Sequence, residues 1–275
     1  VDAVSTAARA AATSTADDPS AAGAPPVAGE AGGFRRYDYK TAFLDDLLAP
    51  LAGRPVRLLD LGSGTSKDFV DVLRRYPNVS YTGVEFRAAS QERARQLLAG
   101  IPGVTLLSGF GEEVERTFEG RFDLTLSLSV LEHVKRLDAF LRTSARVTAR
   151  GGLVVHRYDL GHSLHSTRYE ALKVAVFRRF GRVMPARHFT THPDLGQVTR
   201  ILEDAGVEVV EVGYSQMPSL KQAMNRFDWA SPGANRLAGE MIRLEQRLYA
   251  EIGPRLTTAQ REWLFPAVTV VGRRR

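Results

Sequence analysis

Val56-Arg57-Leu58-Leu59-Asp60-Leu61-Gly62-Ser63-Gly64 runs from an apolar stretch straight into a pair of glycines, and the next acid at a strand-like end is Glu85. A short apolar run stopped by glycine reads as a buried strand. Gly62 and Gly64 permit a tight turn and let a ligand approach backbone amides that a Cβ would screen. Beyond the turn, Phe69, Val70, Leu73 and Tyr76 fall at helical spacing before Pro77-Asn78, and Val79–Glu85 is a second strand. The alternation continues with a helix at Ala88–Ala99 stopped by Gly100 and strands at Val104–Ser108 and Phe122–Ser127. A helix at Leu137–Ala149 closed by Gly151-Gly152 and a strand at Leu153–Tyr158 follow. Helix 192–205 opens on a capping box from Thr191 to Asp194, and strands at Val207–Val212 and Ala267–Val271 complete the series. Upstream, Phe43, Leu47, Leu48 and Leu51 mark a helix leading into the fold. Such alternation predicts an α/β chain with a doubly wound, seven-stranded, mostly parallel sheet.

Residues 1–33 are largely Ala, Ser, Thr, Gly and Pro, too poor in apolar surface to offset the entropy of ordering, and are expected to form a disordered tail. Residues 34–275 are expected to form one domain, with helical cap insertions at 161–191 and 214–263. The second insertion contains a helix with Leu237, Met241, Leu244, Leu248 and Ile252 on one side. At 275 residues, 44% hydrophobic and 25% charged, the chain has the composition of a globular protein with a substantial core. The absence of cysteine excludes disulfides, Cys-ligated zinc, iron–sulfur clusters and thiol nucleophiles. No run reaches the roughly 18 apolar residues of a membrane span. The first thirty residues lack the basic start and apolar core of a signal peptide, so a cytoplasmic location is expected. A formal charge of +6 admits nucleic acid, an anionic membrane surface or an acidic substrate as partners, or simply an Arg-rich codon bias.

In a doubly wound sheet, ligands bind beyond the carboxyl ends of the strands, near the point where strand order reverses. Glu85 follows Gly64 by 21 residues, and a carboxylate there can accept hydrogen bonds from a ribose diol. A dinucleotide needs a third glycine so that the helix start can approach its pyrophosphate. Thr65-Ser66-Lys67 stands there instead, and no Gly-Lys-Ser/Thr phosphate loop exists. S-adenosylmethionine carries no phosphate, and its ammonium favours a nearby carboxylate.

LLDLGSGTS, TGVE, GRFDLTLSLSVLEHV and RVTARGGLVV, in that order, resemble the motif series of the class I, Rossmann-like S-adenosylmethionine-dependent methyltransferases. The resemblance runs from about Val56 to Tyr214, with Val268–Gly272 as the final strand. It implies S-adenosylmethionine as cofactor, with Asp60, Gly62, Ser63 and Gly64 around its methionine part and Glu85 on its ribose. It also implies that the segment Ser127 to Ser129 borders the reactive sulfur. Two positions depart from the pattern. The third loop glycine is Ser66, and the acid that meets the adenine amine after the third strand is missing, leaving Phe110 to stack on the ring and Glu112 or backbone to take the amine.

Methyl transfer is an in-line displacement in which the protein mainly positions the acceptor, and a hydroxyl acceptor benefits from a general base. His133 lies just past the fourth strand and Asp159 just past the fifth, so a His–Asp pair there could deprotonate an alcohol. His133 could equally serve only to fix its turn. His162 and His165 lack a carboxylate companion at metal-ligand spacing, so no metal is expected. Between 168 and 187, Arg168, Lys173, Arg178, Arg179, Arg182 and Arg187 face a single acid, Glu170. Two readings follow: a lid whose apolar side covers the site, or a contact with an anionic membrane surface. Aromatics spaced as a base-stacking platform are lacking, which makes nucleic acid the lesser partner. The resulting expectation is a methyltransferase acting on a hydroxyl of a small molecule, natural product or glycan. An RNA or protein methyltransferase, or a non-catalytic S-adenosylmethionine-binding protein, is the alternative.

Overall fold

The computed structural model describes residues 36–114, 118–161, 191–229 and 231–275. The proposed tail, the pair His162 and His165 and the basic stretch 168–187 lie outside the described residues. Seven strands form one sheet: β1 (Val56–Leu61), β2 (Val79–Glu85), β3 (Val104–Ser108), β4 (Phe122–Leu128), β5 (Thr148–Asp159), β6 (Val207–Ser215) and β7 (Ala267–Arg274). Their order is β3-β2-β1-β4-β5-β7-β6, with β7 antiparallel to both neighbours and the other pairings parallel. The expected doubly wound, mostly parallel sheet is thus present, and its order reverses between β1 and β4. Both central strands are buried on both faces, which explains their near-continuous apolar character.

Two cores lie on the two faces. Alternation along β1 sends Leu58 to one and Leu59 and Leu61 to the other. Helices α1 (Tyr39–Leu48) and α2 (Val70–Arg75) bring Leu44, Leu48, Val72 and Leu73 to the first face. On the opposite face, α4 (Leu137–Val147) and α5 (Leu195–Asp204) supply Phe140, Leu141, Val198 and Leu202, while α3 (Ala88–Leu97) connects β2 to β3. Asp38 caps α1, its carboxylate accepting from the amides of Lys40 and Thr41 at 2.9 and 3.3 Å. This places Tyr39 and Lys40 at the carboxyl end of the sheet.

Local boundaries differ from expectation in two places. Helix α4 ends at Val147, and Gly151-Gly152 belong to the irregular start of β5, where the register against β4 shifts between Phe122 and Leu124. Gly151 has φ +77°, and a Cβ on Gly152 would lie 2.9 Å from the Ala149 carbonyl, so these glycines build a bulge, not a helix stop. The N-cap of α5 is Asp194, accepting from Gln197 N at 2.8 Å, and not Thr191. Thr191 instead donates its amide to the Glu132 carbonyl at 2.7 Å.

Between β6 and β7 stand α6 (Pro218–Met224), α7 (Pro232–Ile252) and α8 (Thr258–Leu264). The face that α7 buries carries Ala234, Ala238, Ile242 and Glu245, whereas Leu237 and Leu244, on the expected apolar stripe, are exposed. The small alanines allow close approach near Tyr39 and Ala42 of α1, and a hydrogen bond from Tyr39 Oη to Glu245 locks that face inward.

Candidate active site

The carboxyl end of β1 opens into a cleft of about 220 Å³ lined by Asp60, the loop from Gly62 to Phe69, Lys40, Leu128 and Ser129. Gly62 and Ser63 both donate their amides to the Val84 carbonyl at 2.9 Å, which bends the chain sharply over β2. Gly62 has φ +79°, and a Cβ there would strike Val130 at 2.8 Å. Gly64, at φ +55°, faces open space. Ser66 adopts φ +50°, the left-handed backbone that glycine would hold at no steric cost, so the substituted position keeps a glycine-like conformation. Gly83 makes room for the loop, since a Cβ there would sit 2.9 Å from Ser63 Oγ.

Asp60 and Glu85 both act on this loop. Glu85 accepts from the Gly64 amide at 2.9 Å through one oxygen and from the Arg87 amide at 2.7 Å through the other. A carboxylate has about four lone-pair sites, so these bonds leave acceptor capacity for a diol. Asp60 is buried and accepts from Tyr81 Oη at 2.9 Å, while the same hydroxyl meets Ser66 Oγ at 2.9 Å. Burial pushes the Asp60 carboxyl up to about 7, against the opposing effects of Tyr81 and the Lys40 ammonium. Tyr81 was not among the expected site residues; a tyrosine inside an otherwise apolar strand, whose hydroxyl must find a partner once buried, was the available signal.

Phe110 stacks on Phe86 with ring centroids 4.8 Å apart and planes 15° from parallel, and both rings are over a third exposed. An exposed aromatic pair thus borders the ends of β2 and β3, where Phe110 was expected to meet adenine. Glu112 lies 3.2 Å from the Arg136 guanidinium, in an ion pair of its own. The two serines of β4's end part company. Ser129 lines the cleft, with φ +58° and its amide bonded to the Arg157 carbonyl at 2.7 Å. Ser127 does not reach the cleft: its hydroxyl is fully buried at 2.8 Å from His156 Nδ1, whose Nε2 meets Ser144 of α4 at 2.9 Å. Residue 127 thus points its side chain toward α4, whereas Ser129, beyond the end of β4 and on a left-handed backbone, turns to the cleft.

A methyltransferase domain family model matches residues 33–212, well over half of the chain. The chain belongs to the class I S-adenosylmethionine-dependent methyltransferases. Malonyl-[acyl-carrier protein] O-methyltransferase of Geobacter sulfurreducens is 28% identical over 210 residues, 72% of this chain and 76% of that protein. Ajmaline N-methyltransferase of Rauvolfia serpentina is 27% identical over 167 residues, 58% of this chain; the match spans about half (54%) of that relative's length. Among solved structures, a putative sarcosine dimethylglycine methyltransferase from Galdieria sulphuraria aligns with TM-score 0.55 at 16% identity, covering 85% of this chain and 83% of the other. Geranyl diphosphate C-methyltransferase from Streptomyces coelicolor, solved with S-adenosyl-L-homocysteine, aligns with TM-score 0.56 at 14% identity, covering 86% and 77%. These relatives are named for N-, O- and C-methylation.

In this methyltransferase the segment after β4 and the end of β5 carry three ionisable groups, Glu132, His133 and Asp159. Leu131–His133 form one turn of 3-10 helix, which buries Leu131 and Glu132 and leaves His133 exposed. Neither carboxylate oxygen of Glu132 has a hydrogen-bond partner, although its residue is 1% exposed. Burial pushes this carboxyl up to about 7, and the neighbouring Asp159 charge adds to the rise. The backbone amides of Glu132 and Asp159 favour its charged form without reaching hydrogen-bond geometry. Asp159 itself is 2.6 Å from the Lys221 ammonium of α6 and accepts from the Gly161 amide at 2.7 Å. Beside His133 and Asp159, the residues expected there, the same strand ends thus carry Glu132, adjacent to His133 in sequence and opposite to it in burial. Among the described residues no group of three potential metal ligands occurs, and no helix is long and apolar enough to cross a membrane.

Proposed function

We propose that this methyltransferase transfers the methyl group of S-adenosylmethionine to a hydroxyl of a small molecule, natural product or glycan. One observation carries the cofactor half of the reading: a glycine loop with an open position at Gly64 frames a cleft whose one fully buried carboxylate is Asp60. The residues fit the group. Asp60 and Ser63 would hold the methionine part, with the Cβ-free backbone of Gly62 and Gly64 lying alongside it. Glu85 would hold the ribose and Phe110 the adenine, with Ser129 beside the sulfur. S-adenosylmethionine, when bound, supplies an electrophilic methyl on a sulfonium. His133 would take the acceptor's proton, with Asp159 orienting it. A second reading gives that proton to Glu132, favoured by its unpartnered, buried carboxylate at the same strand ends. Calorimetry should detect S-adenosylhomocysteine and no NAD, and labelled methyl donor with fractionated cell extract should mark a small-molecule or glycan fraction. Label appearing in RNA or protein would reject the acceptor class; no label in any fraction would favour a non-catalytic binding protein.

Two variants test the cofactor contacts. Asp60→Ala is expected to weaken S-adenosylhomocysteine binding by about 1.5–3 kcal/mol, the range for a hydrogen bond to a charged group. The wild-type affinity should also depend on pH. A carboxyl with a pKa of about 7 in the free protein must lose its proton to meet an ammonium, so affinity should fall toward about tenfold per pH unit below that value. A flat profile between pH 5.5 and 8 would rule Asp60 out as the ammonium's partner. Glu85→Ala should weaken the same ligand by about 1.5–3 kcal/mol and also lower stability by about 1–3 kcal/mol, because two amides lose a buried acceptor. An unchanged ligand affinity alongside the stability loss would confine Glu85 to shaping the loop.

A further inference from the structure

Along the face of β5, β7 and β6 that looks away from α4 and α5, α1 and α7 stand over the sheet without closing on it. They leave a partly open cavity of about 340 Å³. Its apolar walls are Phe43 and Leu47 of α1, Leu153 and Val271 of the sheet, and Ile242 and Tyr249 of α7. Gly213 contributes to its floor: an added Cβ would meet only Glu211 Oε1 and Thr269 Cβ, each 3.9 Å away. Among the described residues it shares no lining residue with the glycine-loop cleft. A volume of this size lies within the range of small-molecule sites, which combine apolar walls with a few placed polar groups.

The charges around this chamber do not balance. Three carboxylates, Asp46, Glu211 and Glu245, line it against one guanidinium, Arg157. Glu245 is satisfied by Tyr39 Oη and by the amides of Gln216 and Met217 at 2.6 and 2.8 Å. Arg157 donates to Ser215 Oγ at 2.9 Å and lies over the Phe43 ring at 5.0 Å from its centroid. Among the described residues, Asp46 has one long contact, with Gln246 Nε2 at 3.5 Å. Glu211 has no hydrogen bond or ion pair among the described residues, and it belongs to the strand that supplies the floor. Burial raises both carboxyls, Asp46 to about 6 and Glu211 above its ordinary value. An unmatched carboxylate in an apolar chamber is costly unless a cation reaches it.

We propose that this cavity is a second small-molecule site, separate from the methyl-transfer cleft, which takes an apolar amine with its ammonium on Glu211 and its hydrocarbon body between α1 and α7. The inference does not depend on which acceptor is methylated. The test uses three probes of nearly equal size titrated into the whole chain by calorimetry or ligand-observed NMR: 2-phenylethylamine, 2-phenylethanol and 3-phenylpropanoate. The amine should bind with a Kd of roughly 0.1–1 mM, as expected for a nine-atom fragment. It should bind at least tenfold tighter than the alcohol, and the acid should not bind. Glu211→Gln should bring amine and alcohol to equal affinity, and Gly213→Leu should abolish both. Saturating S-adenosylhomocysteine should leave the amine's Kd unchanged, and its own binding verifies that each variant is folded. Equal affinities in the unaltered protein would overturn the proposal, as would a charge preference that survives Glu211→Gln. Competition with S-adenosylhomocysteine, or labelled methyl appearing on the amine, would place the probe in the methyl-transfer cleft and overturn it too.

Discussion

His133→Ala is expected to lower kcat by roughly 10²–10⁴, the usual contribution of a positioned general base, while S-adenosylhomocysteine affinity stays unchanged. The imidazole is exposed at the end of β4, and histidine is the side-chain type suited to proton removal near neutrality. In the unaltered protein the rate should rise from acid toward neutral pH, as a base must be unprotonated to act, and the variant should lose the dependence. Asp159→Asn should impair the same step less. It also weakens an ion pair with Lys221 at 2.6 Å, so some loss of stability should accompany it. Lys221→Met separates these effects, since it removes the ion pair and leaves the carboxylate. A His133→Ala protein that binds cofactor and turns over at the original speed would refute the assignment. If Glu132→Gln then shows the large loss in kcat, the base is Glu132.

Glu132→Gln should produce the opposite of a usual core substitution: a more stable protein at alkaline pH. The folded-state carboxyl sits at about 7 against 4.5 in the ordinary state. A raised acid contributes stability that is fully present below pH 4.5 and is lost as pH rises through about 7, because the folded chain holds the proton more tightly than the unfolded one. Above pH 7 the unaltered protein therefore carries an uncompensated buried charge worth on the order of 3 kcal/mol. Glutamine removes that cost, so urea denaturation at pH 8 should show a gain of this order, shrinking toward zero at pH 4.5. Equal stabilities at pH 8 would mean that the carboxylate is compensated in solution, and its value as a poised group would go with that result.

Much of the architecture is legible from local chemistry. Val56–Leu61 and Phe122–Leu128 are apolar nearly throughout because both faces of the central strands are covered, and glycines at 62 and 64 mark the turn that follows β1. Asp60, Glu85 and the loop could be located because strand ends and turn residues occupy fixed places in an alternating chain. Even the departure at Ser66 was readable as a position, although its left-handed backbone was not.

Tertiary contacts decided the rest. Periodicity says that a helix has apolar stripes, but α7 carries two candidates. The Ala234–Ala238–Ile242 face is buried because small residues allow close packing, and the Tyr39–Glu245 bond holds it there. Ser127 and Ser129 are two apart and would share a face in a continuing strand. Yet β4 ends at Leu128 and the left-handed backbone of Ser129 turns it away, while Ser127 stays inside against His156. Glu132 and His133 lie in a 3-10 turn, where each step rotates the side chain by about 120°. No repeat in a turn of three residues reveals which of them will face the core. The Asp60–Tyr81–Ser66 chain joins two strands and a loop through hydrogen bonds of 2.9 Å. The sequence alone determined that this protein folds as a doubly wound sheet with a glycine loop after β1. Which carboxylates lie buried and unpartnered was decided only when the strands were laid side by side, because desolvation depends on neighbours that are distant along the chain.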